Sequence, residues 1–65
     1  MRVNRFIVKD CAALRYGSVI FVENNAIYTS KMFDTIEEAK VDMEKAWKKI
    51  LEEKPFLTTA QVIDG

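Results

Sequence analysis

The sequence holds no histidine, one cysteine, one proline and two glycines among 65 residues, and each scarcity removes a class of chemistry or architecture. Without histidine the chain lacks the side chain that most often serves as a general base near neutral pH, and the commonest metal ligand. One cysteine closes neither an internal disulfide nor a zinc site, so no covalent or metallic staple is expected. A fold this short buries only about 60% of its unfolded surface, which keeps the core small. The two glycines, Gly17 and Gly65, leave no glycine-rich loop for phosphate. Neither charge sign is in excess, with ten Lys and Arg against ten Asp and Glu. No apolar run approaches the roughly 18 residues of a membrane span, and Phe6-Ile7-Val8 is too short for the apolar core of a signal peptide. These absences, with an unpaired Cys11, lead us to expect a single small cytoplasmic domain over residues 1–65 with no membrane partner.

What is present is a chain 49% hydrophobic and 31% charged, the balance of a folded domain rather than a disordered one. Val3, Phe6, Ile7 and Val8 predict a strand over about residues 3–9. Asp10 and Gly17 then bracket a turn or short helix. Two β-rich runs, 18–23 and 26–33, flank Asn24-Asn25, and a two-residue loop of asparagines tolerant of positive φ predicts a type I′ hairpin. Asp34, with Glu37 three residues on and Phe33 just before it, reads as a helix N-terminus with a staple. Apolar positions at Ile36, Ala39, Met43, Ala46, Trp47, Ile50 and Leu51 follow at helical spacing. They predict an amphipathic helix from Thr35 to about Lys54, ended by Pro55. Trp47 belongs to its core stripe. The outer face carries Lys40/Glu44, Glu44/Lys48, Lys48/Glu52 and Lys49/Glu53 at i,i+4, the pattern of a solvated surface. Residues 56–63 are apolar enough for a last strand or a docked tail. The fold class expected is α+β: a three-stranded antiparallel sheet, with a C-terminal strand as an optional fourth, packed against one long helix in the order βββα(β).

A two-residue loop fixes register. Pairing Glu23 with Ala26 puts Val19, Phe21, Tyr28 and Met32 on one face and Ile20, Val22, Ile27 and Phe33 on the other. Both faces are greasy, and one helix covers only one of them. The second needs the tail, a second copy of the chain or another protein. Arg15 and Tyr16, at a turn beside Gly17, are the best displayed side chains for contact. The candidate interface is therefore Arg15, Tyr16, Phe21, Tyr28 and Met32.

Charge resolved along the chain gives a second candidate. Residues 1–16 carry Arg2, Arg5, Lys9 and Arg15 against Asp10, whereas residues 34–54 carry seven acids and five lysines. A basic strand beside aromatics resembles a nucleic-acid platform using Arg2, Arg5, Lys9 and Arg15. The commoner reading is a charged edge strand guarded against aggregation. Catalysis has less support. Glu38 and Asp42 fall on what reads as a solvated helix face, and Cys11 among Ala12, Ala13 and Leu14 reads as a small buried hydrophobe. No catalytic, metal or cofactor residue is assigned. The expected function is a non-catalytic protein-interaction module, a small regulator or inhibitor of the kind phages and mobile elements carry, acting sterically or as a homodimer. A nucleic-acid-binding protein is the alternative.

Overall fold

A computed structural model describes residues 1–65. Four strands, β1 (Arg2–Asp10), β2 (Arg15–Val22), β3 (Asn25–Thr29) and β4 (Gln61–Asp64), form one sheet in the order β3-β2-β1-β4. One helix, α1 (Ile36–Glu53), lies across one face. The expected α+β class and the optional fourth strand are both present. β1–β2 and β2–β3 pair antiparallel, whereas β4 joins β1 in parallel, so the sheet is mixed. β1 is thus a central strand and not the charged edge that its basic residues suggested.

Alternation along the central strands assigns the two faces. Val3, Arg5 and Ile7 pair with Val22, Ile20 and Ser18 on the α1 side, while Asn4, Phe6 and Val8 pair with Phe21, Val19 and Gly17 on the other. Val3 and Ile20 pack with Met43, Trp47 and Leu57 into the buried core. Ala39, Met43 and Trp47 are the buried positions of α1, three residues of the expected stripe. Of the i,i+4 side chains of α1 only Glu44 is ion-paired, to Arg5 of β1, and Lys40, Lys48, Lys49, Glu52 and Glu53 stand exposed without an ion pair.

Local departures from the expected elements have identifiable causes. Asp10 Oδ1 accepts from the Ala12 and Ala13 amides, 3.1 and 3.2 Å, holding residues 11–14 in one tight turn. Leu14 closes that turn at φ 54°. β2 therefore begins at Arg15, and no short helix forms. Cys11, expected inside, is exposed on this turn. At the second hairpin Val22 pairs with Asn25, so the loop is Glu23-Asn24. Glu23 alone takes a positive φ there, which a type I′ turn would need at both central residues.

β3 is shorter than expected because Ser30 breaks it. The Ser30 amide donates to the Ser18 carbonyl, 2.9 Å, but its hydroxyl, rather than a carbonyl, accepts from the Ser18 amide, 2.8 Å. The chain rejoins β2 where Tyr16 and Phe33 exchange backbone bonds, 2.8 and 2.6 Å. Thr35, not Asp34, caps α1, its hydroxyl accepting from the Glu38 amide at 3.2 Å. Asp34 is drawn away to Arg15, 3.2 Å, which moves the capping pair one residue on. After α1, Pro55 opens a 3₁₀ turn over Pro55–Thr59 that drops Leu57, 1% exposed, into the core before β4.

Candidate functional site

The sheet face opposite α1 is covered by no element. Its strand positions are Asn4, Phe6 and Val8, Gly17, Val19 and Phe21, Ala26 and Thr29, and, paired beside Asn4, Ile63. None is charged. Phe6 and Phe21 stack at its centre with ring centroids 5.6 Å apart, an arrangement that adds to simple area burial. Val19 beneath them is buried, while Val8 and Ile63 remain exposed. Met32 closes one end: an ideal Cβ on Gly17 would lie 2.9 Å from its sulfur, so the glycine leaves room for that flexible side chain. At the other end an open groove of about 280 Å³ runs between Phe6, Phe21, Asn24 and Ile63.

Of the expected interface residues, Phe21 and Met32 share this face. Arg15 sits at its rim, with Nη2 on Asp34. Tyr16 pairs opposite Lys9 on the α1 side, with the Lys9 ammonium 5.9 Å from its ring centroid. Tyr28 does not belong with Phe21. The register shifts between Ile20 and Phe21, leaving Ile27 as the extra residue of a bulge and setting Tyr28 opposite Ile20 on the helix side. A bulge reverses the alternation of every residue beyond it. Phe6 and Ile63 were the members missed. Both were readable as apolar positions, but only the β1–β2 and β1–β4 registers place them beside Phe21.

The helix side hides polar chemistry instead. Asp42 Oδ2 accepts from the Ser18 hydroxyl at 3.1 Å and from the Tyr28 hydroxyl. Asp42 is therefore no solvated carboxylate, contrary to the expectation, but the half-buried acceptor that ties α1 to β2 and β3. Burial, and then the Asp42 carboxylate, push the Tyr28 hydroxyl up to about 12 from 10.0. A tyrosine so held donates its proton to a hydrogen bond rather than giving it up.

The basic residues are not gathered. Arg5 is 9% exposed, with Nε and Nη2 on Asp64 at 2.7 and 2.9 Å and Nη1 on Glu44 at 3.1 Å. These bonds hold the Asp64 carboxyl below the usual carboxylate range. Arg2 lies on the open side of β1, whereas Arg5 and Lys9 alternate to the other. Arg5 is thus a structural cation rather than an exposed contact, and the four residues make no common patch. Comparisons with protein-family models, with curated proteins and with solved structures find no match to this chain.

Proposed function

We propose that this chain is a non-catalytic protein-interaction module, a small regulator or inhibitor that occupies the surface of a larger protein with the sheet face opposite α1. The observation that carries this reading is the apolar middle of that face, two stacked phenylalanines wide, charged only at its strand ends and left uncovered by the chain's own tail. Uncovered apolar surface rimmed by polar groups is the mark of a contact site. Four strands spaced by about 4.8 Å and about seven residues rising about 3.3 Å each give a footprint on the order of 400 Å². A standard stable interface takes about 800 Å² from each partner. A second copy stacked on this face alone falls short, so the reading favours a larger partner that also grips the rim, where Arg15 and the exposed Leu14 stand. The unpaired Cys11 on the surface suits a reducing compartment, and the reading places the protein in the cytoplasm. Nucleic-acid binding is not retained, because Arg5 is committed to two carboxylates and Arg15 to one.

Phe21→Asp places a charge at the centre of the face without touching the core behind it. A partner retained by the wild-type chain and lost by Phe21→Asp, with unchanged helical circular dichroism, supports the reading. Equal retention by both overturns it.

A further inference from the structure

β4 is an edge strand of four exposed residues, and the contacts that seat it are few enough to separate. A backbone ladder runs along β1, with the Gln61 amide on the Met1 carbonyl at 3.0 Å and the Gly65 amide on the Arg5 carbonyl at 2.9 Å. That ladder is indifferent to sequence. Val62 lies beside Val3 and Ile63 beside Asn4, on opposite faces, and both stay more than a third exposed, 39% and 37%. The remaining contact is the fork of Arg5 on the Asp64 carboxylate. A planar guanidinium taking both oxygens of one carboxylate is directional as well as strong, and Arg5 itself is nearly buried. Most of what distinguishes this segment from any other extended segment is therefore its acid.

A main-chain ladder for affinity and alternate side chains for selectivity is the division of labour of strand addition. The tether permits exchange. Leu57 is fixed in the core, and Ala60 leads to β4 in extended conformation, φ −71°, ψ 151°, so β4 can lift without moving Leu57.

We propose that the outer edge of β1, with Arg5 as its selective group, is a strand-addition site for an extended partner segment carrying two apolar residues followed by an acid, and that β4 is the chain's own displaceable occupant. Only Ile63 of β4 is shared with the open face, whose centre is Phe6 and Phe21, whereas this site rests on the β1 edge and Arg5, so either reading can fail alone.

The test uses the whole of residues 1–65. Asp64→Lys sets a cation against Arg5, and amide exchange of residues 61–65 should rise at least tenfold while α1 and the β2–β3 hairpin stay protected. A synthetic peptide of residues 59–65 should then shift the Met1–Arg5 amides saturably, and the same peptide with Asn in place of the acid should bind at least tenfold more weakly. Asp64→Asn, which keeps the shape and leaves Glu44 on Arg5, serves if Asp64→Lys does not fold. Unchanged protection of residues 61–65, equal binding of the two peptides or no binding overturns the proposal. A wild-type dimer in which β4 is exchanged between copies would also overturn it, in favour of self-association.

Discussion

Removing the Tyr28 hydroxyl tests whether Asp42 truly fastens the helix to the sheet. In Tyr28→Phe the ring keeps its place beside Ile20, and only the bond to Asp42 is lost. A hydrogen bond to a charged partner contributes about 1.5–3 kcal/mol. Asp42 is half-buried and retains the Ser18 hydroxyl, so water partly replaces the lost donor and the lower end applies, about 1.5–2 kcal/mol. In a domain of this size that lowers Tm by on the order of 10 °C. Asp42→Ala should cost more, about 2–4 kcal/mol, because it also strips the acceptor from the fully buried Ser18. Ser18→Ala should cost least, since it removes the buried donor together with its need. Urea denaturation followed by circular dichroism, with m unchanged across the series, reads these differences as shifts in midpoint. Tyr28→Phe within about 0.5 kcal/mol of wild type, the range of an ordinary surface substitution, would refute the reasoning. The same bond sets an alkaline limit. The Tyr28 hydroxyl is raised from 10.0 to about 12, so its contribution is complete below pH 10 and is lost as pH rises through about 12. Tyr28→Phe should remove that part of the alkaline loss.

Three further substitutions check local features. Thr35→Ala should cost about 1 kcal/mol as the loss of an N-cap, against less than about 0.5 kcal/mol for Asp34→Ala, whose ion pair is exposed; equal effects in thermal melts would return the cap to Asp34. Leu14 is 66% exposed at φ 54°, so Leu14→Gly should stabilise by about 0.5–1 kcal/mol through relief of left-handed strain, and a lower Tm would show that the leucine is held by contacts. Gly17→Ala should destabilise by about 1–3 kcal/mol through overpacking against Met32, and combining it with Met32→Ala should cost less than the sum of the two, whereas additivity would mean that the two residues do not touch.

Where backbone chemistry is local, the sequence disclosed the fold. The helical spacing from Ile36 to Leu51, the stop at Pro55 and two β-rich runs around a short polar loop gave the order of elements and the α+β class, because each signal lies within a few residues. What escaped it was set at longer range or by exceptions to residue preference. Leu14 and Glu23 take left-handed backbone with side chains that seldom do, so β2 began three residues earlier and its hairpin turned one residue sooner than composition suggested. One bulge at Ile27 sent Tyr28 to the helix side. The site was half legible for the same reason: Phe21 and Met32 were found on the strands, but Phe6 joins them only through the β1–β2 register, and Ile63 only through a parallel pairing 59 residues from Asn4. Arg5 carried the same charge as Arg2 on paper, and only alternation and the C-terminal acid made it an internal cation.

The most direct test of the central claim is the solvent exposure of the sheet face in the free protein. With a soluble paramagnetic probe, methyl and ring signals of Phe6, Val8, Phe21 and Ile63 should be attenuated, while those of Val3, Ile20 and Leu57 persist, at low and high protein concentration alike. Protection of the four face residues equal to that of the core, whether from a second copy or from the chain itself, would contradict the account.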